Sequence, residues 1–374
     1  MGIPIIPRVT DAVGGVVGGV GRLLRKNKLK EEDEETDRLV KEYMASVPGL
    51  ANVSSSAQLN LMGEGLKGKA ELSVRGTTQW LHRSKWDVDK VDSRDRGTPD
   101  EWIQRHPELI RLTGRHPFNC EPPPKLLNEA GFLTPASIHY VRNHGAAPNI
   151  KWNEHRIRVE GNVPRVRTFS MNDIVNMPRQ SIPVTLVCAG NRRKEENMLK
   201  QTIGFNWGQC GVGTSMWTGV PMHVFLKICG VTSVSANRQY LCFQGPDGEL
   251  PKGKDGSYGT SIPLAMALNP ANDVMIAYEQ NAKKLTPDHG YPVRIIIPGW
   301  IGGRMVKYLT KISVTATPSE NFYHFNDNRI MPPHVDAEMA AAEGWWYKEE
   351  YIFNQLNINS AILYPDHDQV VKHE

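Results

Sequence analysis

Short apolar segments separated by glycine, proline or polar turn residues recur from about residue 150 onward. The chain has 33 glycines and 26 prolines among its 374 residues, which predicts many turns rather than a helical bundle. Strands are predicted at Ile157 to Val159, Val184 to Val187, Gln239 to Phe243, Val293 to Ile297 and Ile312 to Ala316. Helices are predicted at Pro122 to Ala130, Met222 to Cys229 and Val335 to Glu343. Because these elements do not alternate regularly, the sequence predicts an α+β fold that is mixed and β-rich.

The first part of the chain differs in composition from the rest. A glycine-rich start is followed by the charged segment KNKLKEEDEETDRLVKEYMASVPG, which could form a solvated helix but which we interpret as a tail or linker. The sequence GEGLKG at Gly63 to Gly68 fits a dinucleotide-binding pattern, but no clear strand precedes it, and we attribute it to chance. We predict a flexible tail at residues 1–70 and one folded domain at residues 71–374.

Charge and cysteine content argue against several classes of protein. The net charge is only +4 and basic residues are spread among 40 acidic ones, so no nucleic-acid partner is predicted. Five cysteines without a C-x-x-C pair indicate neither a disulfide framework nor a zinc knuckle, which favours a reducing, cytoplasmic compartment. No apolar run approaches the roughly 20 residues that span a bilayer, so we predict a soluble protein with no membrane contact.

A single cysteine stands where an apolar strand gives way to a polar cluster, in the sequence VTLVCAGNRR. Val184 to Val187 predict a buried strand, and Gly190 allows a sharp turn just past Cys188. A cysteine in this place is often only a small core residue. Because Arg192 and Arg193 follow closely, we also expect a lowered pKa for the Cys188 thiol, which would suit a nucleophile or a ligand of a soft metal.

Four further blocks gather glycine turns with histidine, arginine, amide and tryptophan side chains: HYVRNHG, IGFNWGQCGVGTSMWTGVP, TPDHGYPVRIIIPGWIGGRMVK and NFYHFNDNR. Such loops suit a large anionic ligand. Together with CAGNRR, they resemble the molybdenum-cofactor domain of the sulfite oxidase family, and most closely that of eukaryotic assimilatory nitrate reductases of the fungal type. The resemblance extends from about Arg75 to the C-terminus.

The resemblance implies a sulfite-oxidase-type molybdopterin-binding fold and one molybdenum-molybdopterin per chain. Cys188 matches the cysteine that supplies the single protein thiolate to molybdenum in that family. The positions that match the family's cofactor contacts are Tyr140, Val141, Arg142, Asn143, His144, Asp247, His289, Arg294, Met305, Val306 and Lys307.

The resemblance also implies a reaction, the transfer of an oxygen atom from nitrate to give nitrite. Arg142 and Arg193 match the arginines that bind the substrate, Trp207 would form a wall of the cavity, and Asn328 would donate to a nitrate oxygen. By this resemblance, sulfite oxidases carry tyrosine at the position of Asn328, and Met305 also follows the nitrate reductases, so nitrate is favoured over sulfite. Sulfite oxidation and a non-catalytic cofactor-binding protein stay as alternatives.

The partners follow from the same resemblance. Complete family enzymes continue into a dimerisation domain, a cytochrome b5 haem domain and an FAD module, whereas this sequence ends at LNINSAILYPDHDQVVKHE. We therefore expect no bound haem or FAD, an electron donor of the cytochrome b5 type that is absent here, and a monomer in place of the family's dimer.

Overall fold

The structure is a computed structural model that describes residues 86–234, 239–248, 250–252, 256–365 and 368–372. Its strands are β1 (Ile110–Arg111), β2 (Asn119–Glu121), β3 (Val141–Arg142), β4 (Arg156–Gly161), β5 (Arg167–Ser170), β6 (Gln180–Val187), β7 (Val212–Pro221), β8 (Tyr240–Gln244), β9 (Gly259–Pro263), β10 (Met275–Gln280), β11 (Lys283–Lys284), β12 (Arg294–Ile296) and β13 (Lys311–Thr315). Its α-helices are α1 (Pro124–Ala130), α2 (Met171–Asn176), α3 (Arg193–Leu199), α4 (Met222–Ile228), α5 (Leu264–Leu268), α6 (Phe322–Phe325) and α7 (Ala337–Ala342). Short 3₁₀ turns connect several of these elements.

The strands form three sheets. The smallest has the order β1-β2-β3 and is antiparallel. A second sheet has the order β11-β10-β7-β6, with β12 also paired to β10. The third has the order β5-β4-β13-β8-β9, in which β4 and β13 run parallel. A mixed α+β architecture, as the sequence predicts, is thus confirmed.

One large hydrophobic cluster joins the two five-stranded sheets and the helices beside them. It contains Val159 of β4, Leu186 of β6, Trp217 of β7, Leu241 of β8 and Ile276 of β10, all of them buried. Because residues from both sheets share this core, each sheet holds the other in place. The loops at the strand ends are therefore carried by a rigid frame.

The predicted elements exist, and their ends differ from the prediction by at most two residues, except that β6 begins at Gln180, four residues before the predicted start at Val184. The predicted strand at Gln239 to Phe243, for example, runs from Tyr240 to Gln244. The predicted helix at Val335 to Glu343 begins only at Ala337, because the side chain of Asp336 caps it by accepting the Met339 N–H at 2.8 Å. The charged N-terminal segment and the GEGLKG sequence lie outside the described residues.

Glycine inside a strand explains why β7 was not predicted. An added Cβ at Gly219 would lie 2.1 Å from the Ile276 carbonyl oxygen of β10, so only glycine lets the two strands approach. Within the described part of the chain, no helix is long and apolar enough to cross a membrane.

Candidate active site

A cavity of about 490 Å³ is lined by residues from well-separated parts of the chain. It brings together most of the predicted site residues, namely Tyr140, Val141, Arg142, Asn143, His144, Cys188, Arg193, Trp207, His289, Arg294, Met305, Lys307 and Asn328. Strand ends and loops supply them, so the frame described above fixes their spacing.

Two predicted cofactor residues are not among those that line the cavity. Val306 is fully buried in the main hydrophobic cluster. Asp247 is exposed, and its carboxylate accepts a hydrogen bond from Gln244 Nε2 at 2.9 Å. The structure therefore does not bring the Asp247 side chain to the cavity, because its carboxylate is held by Gln244 at the end of β8.

Cys188 directly follows β6, as the sequence predicts. Its backbone N–H donates to the Gly211 carbonyl at 2.9 Å, and its carbonyl accepts the Asn191 N–H at 2.9 Å, which closes the turn. An added Cβ at Gly190 would lie 2.6 Å from Arg193 Nη1 and 2.8 Å from Trp207 Cδ1. Glycine is required at position 190 for close packing, so that the arginine and the tryptophan can both approach the cysteine turn.

The expected lowering of the Cys188 pKa is wrong for the thiol without a ligand. Burial raises the pKa, and this effect outweighs the hydrogen bond from the Gly190 backbone and the charges of Arg142 and Arg193, which lower it. The arginines were visible in the sequence, whereas the extent of burial was not. A bound cation would supply the charge needed to hold the thiolate.

The two predicted substrate arginines lie in the cavity lining. Arg142 Nη1 donates to the Asn143 carbonyl at 2.6 Å, and Arg193 Nη1 donates to the Phe205 carbonyl at 3.3 Å. Arg192 is different, because its guanidinium pairs with Glu195 and donates to the Ser360 carbonyl. Arg192 is also absent from the residues that line the cavity.

Two cations form another part of the lining, Arg294, which is buried, and Lys307, which is partly buried. Arg294 donates to the carbonyls of His289 at 3.1 Å and Met305 at 3.2 Å, and burial lowers its pKa to about 10. Lys307 Nζ donates to the Arg142 carbonyl at 3.1 Å and the Asp288 carbonyl at 2.9 Å, and also to Asn143 Oδ1. Burial, followed by the charge of Arg294, lowers the pKa of Lys307 to about 7.

The remaining wall is aromatic and amide in character. Trp207 is buried, and its ring meets that of Tyr140 edge to face at 5.8 Å. Asn328 lies against Gly303, where an added Cβ would be 2.9 Å from the amide atoms Nδ2 and Oδ1. The ring of His144 is tilted against that of Tyr258, with 4.6 Å between the ring centroids. Burial, followed by the charge of Arg142, lowers the pKa of His144 to about 4.

Sequence reasoning missed the residues of β2 that support these walls. Asn119 Oδ1 accepts the Asn143 N–H at 2.9 Å. Two residues further along the strand, Glu121 Oε1 accepts the Gly208 N–H at 2.6 Å and Glu121 Oε2 accepts the Cys210 N–H at 3.0 Å. No motif in the sequence marks this strand as part of a site, since its role depends on loops far away in the chain.

A buried ionic network below the cavity was also missed. Arg105 donates to both carboxylate oxygens of Asp288 at 2.8 Å and to Asp95 at 3.0 Å. Asp288 in turn accepts from Asn143 Nδ2 at 3.1 Å. This network fixes the segment that contains His289, whose Nε2 lies 2.9 Å from the Ala136 carbonyl. The only sequence signal was the histidine-rich and arginine-rich composition of the flanking blocks.

Unpartnered donors test whether these residues fit the cofactor that the resemblance implies. Among the described residues, Arg294 Nε, Asn328 Nδ2 and His144 Nε2 are buried without a hydrogen-bond partner, the last lying 3.6 Å from Asp327 Oδ2. Buried donors are nearly always paired, so these positions fit an acceptor-rich, anionic ligand. A thiol is also a suitable ligand for a soft metal. The residues of this cavity therefore fit a molybdenum-molybdopterin.

Comparisons with known proteins agree with this fit. Residues 144–323 match the family described as the oxidoreductase molybdopterin binding domain. The chain is 58% identical over 282 residues to the nitrate reductase [NADH] of Volvox carteri, 55% over 289 residues to that of Spinacia oleracea, and 54% over 296 residues to that of Petunia hybrida. These alignments cover 75%, 77% and 78% of this chain but only 33%, 31% and 32% of the relatives, so the chain spans about a third of their length.

A solved structure shows the same fold. The sulfane dehydrogenase SoxCD of Paracoccus pantotrophus matches with a TM-score of 0.51 and 23% identity, covering 67% of this chain and 62% of that one. The finer expectation of a fungal-type form stays a prediction. The chain therefore carries an oxidoreductase molybdopterin binding domain, and the comparisons support a molybdenum-cofactor domain of the eukaryotic assimilatory nitrate reductase type, in the sulfite oxidase family.

Proposed function

We propose that this domain reduces nitrate to nitrite in nitrate assimilation, using a bound molybdenum-molybdopterin. The observation that carries the proposal is a single cavity in which the Cys188 thiol, two arginines and an unpartnered asparagine amide lie together. The similarity to nitrate reductases supports it, although this chain spans only about a third of their length.

The residues of the chain divide into two groups. Arg294 and Lys307 would hold the anionic part of the cofactor, and Cys188 would bind the metal. The cofactor, when bound, supplies the oxygen-atom and electron transfer chemistry. Arg142 and Arg193 would hold the nitrate oxygens through charge-assisted hydrogen bonds.

Orientation of nitrate would depend on the other walls. Asn328 Nδ2 would donate to a nitrate oxygen, and Trp207 would limit the space available to the anion. The overall reaction consumes nitrate, two electrons and two protons, and it yields nitrite and water. Fixed cationic donors favour this reaction because they stabilise the anion without having to reorganise.

The partners of this chain are part of the same proposal. Electrons would come from a cytochrome b5-type haem domain, while haem and FAD would be bound elsewhere in a complete enzyme. The chain would act in the cytoplasm and be monomeric by itself. Sedimentation at micromolar concentration checks the last point, and a stable dimer would refute it.

Metal analysis and a nitrate assay with reduced viologen test the central proposal. We expect about one molybdenum per chain and steady formation of nitrite. Molybdenum without nitrite would instead indicate a cofactor-binding protein without turnover, and sulfite oxidation without nitrate reduction would indicate the other chemistry of this family. Purified protein that cannot bind molybdenum would overturn the proposal altogether.

A further inference from the structure

The turn that carries Asn328 has an unusual backbone conformation. Asn328 has a φ of 55°, in the left-handed region, which asparagine adopts more readily than most non-glycine residues. Its backbone N–H donates to the Asp327 side chain at 2.9 Å, and its carbonyl accepts the Phe353 N–H at 3.0 Å. The position of the amide in the cavity thus depends on how this turn is held.

Arg329 holds the turn through hydrogen bonds to backbone carbonyls. Its Nη1 donates to the carbonyls of Asp327 at 3.0 Å and Asn328 at 3.3 Å, while its Nε donates to the Trp346 carbonyl at 2.8 Å. One guanidinium therefore ties two consecutive carbonyls of the turn to a segment of chain 17 residues further on. Arg329 is not among the residues that line the cavity.

The electrostatic surroundings make this arrangement costly. Burial, followed by the charge of Arg304, lowers the pKa of Arg329 to about 10, while Asp327 opposes the shift. Nη2 of Arg329 is buried and has no hydrogen-bond partner among the described residues. A partly buried guanidinium beside a second one is retained only where its remaining hydrogen bonds offset the cost of removing it from water. For Arg329, those hydrogen bonds are the three that it donates to the backbone carbonyls of Asp327, Asn328 and Trp346.

We propose that Arg329 is a positioning residue that fixes the Asn328 amide toward the cavity and thereby sets the affinity for the oxyanion substrate. This inference rests on the proposed nitrate reduction. It assigns no contact with the substrate to Arg329 itself. The effect of Arg329 should therefore pass entirely through Asn328.

A double-mutant cycle tests this dependence. In protein loaded with molybdenum, Arg329→Gln should raise the KM for nitrate about tenfold, with a smaller effect on kcat, since the loss of a fixed donor weakens substrate binding. In an Asn328→Ala background the same substitution should change KM less than about twofold. Equal effects in both backgrounds would mean that Arg329 supports the fold alone.

The matched control is Arg156, which also caps two backbone carbonyls, those of Asn153 at 2.8 Å and His155 at 2.9 Å, but lies away from the cavity. Arg156→Gln should leave KM unchanged. Arg329→Lys keeps the charge and should give an intermediate KM, and it carries the test if Arg329→Gln does not fold.

A structural measurement separates this inference from the proposed function. A crystal structure of Arg329→Gln should show one of two changes: the Asn328 backbone leaves the left-handed region, or the Asn328 side-chain amide turns away from Gly303. An unchanged Asn328 together with an unchanged KM would overturn the positioning role while nitrate reduction stands. Wild-type protein that holds molybdenum but forms no nitrite would instead refute the function.

Discussion

Glu121→Gln is the substitution that most directly tests how β2 shapes the cavity. The Glu121 side chain is buried, and its two carboxylate oxygens accept separate N–H groups from Gly208 at 2.6 Å and Cys210 at 3.0 Å. An added Cβ at Gly208 would lie 2.7 Å from Glu121 Oε1, so the loop packs tightly on the carboxylate. The same loop reaches Cys188 through the Gly211 carbonyl.

The magnitude follows from these two bonds. Glutamine has nearly the same size, but its amide nitrogen would face one of the two N–H donors, which removes a charge-assisted hydrogen bond and leaves a buried donor unpaired. Each such loss costs about 1.5–3 kcal/mol. Burial raises the pKa of Glu121, so the neutral amide recovers part of this cost. We expect a net loss of about 1–3 kcal/mol in the free energy of unfolding.

Urea unfolding at pH 7 measures the change in stability, and the viologen assay measures turnover. Because the loop also carries Trp207, we expect kcat/KM for nitrate to fall about tenfold. The control is Glu154→Gln, which alters only an exposed pair with Lys151 and should change the free energy by at most about 0.5 kcal/mol. Wild-type stability together with wild-type turnover in Glu121→Gln would refute the reasoning.

Three further substitutions test the cavity. Cys188→Ser should abolish nitrate reduction while the urea midpoint stays close to wild type, and substantial activity with molybdenum loaded would contradict the role of Cys188. Arg193→Ala should raise the apparent constant for nitrate roughly ten- to a hundredfold at unchanged molybdenum content, and loss of molybdenum would instead identify Arg193 as a cofactor anchor. For Lys307, burial lowers the folded-state pKa to about 7, so between about pH 7 and 10 the unfolded state binds more protons and stability rises with pH. Urea unfolding of cofactor-free protein should show this rise in the free energy of unfolding, at most about 1.4 kcal/mol per pH unit. The rise should be lost in Lys307→Met and kept in the control Lys311→Met, whose side chain is more exposed. Equal slopes in the two variants would contradict the lowered pKa of Lys307.

Local features of this protein could be predicted from its amino-acid sequence. Short apolar runs predicted five strands, because side-chain periodicity is a local property. Their ends lie within two residues of the predicted ones, except that β6 begins four residues earlier than predicted. The place of Cys188 at the end of β6 was also predicted from its neighbours. The residue types in the blocks around Arg142, Arg294 and Asn328 suited an anionic ligand, and the resemblance to a known family implied that these blocks form one site.

Which groups meet, and how strongly they are buried, depends on the folded chain and could not be predicted from local sequence. Glu121 lies 87 residues from Gly208, and Arg105 lies 183 residues from Asp288, so no local pattern could pair them. Burial also reversed the expected direction of the Cys188 pKa, because the cost of removing a charge from water exceeds the attraction of nearby arginines. Desolvation depends on everything that packs around a group, and that is set by the folded chain as a whole.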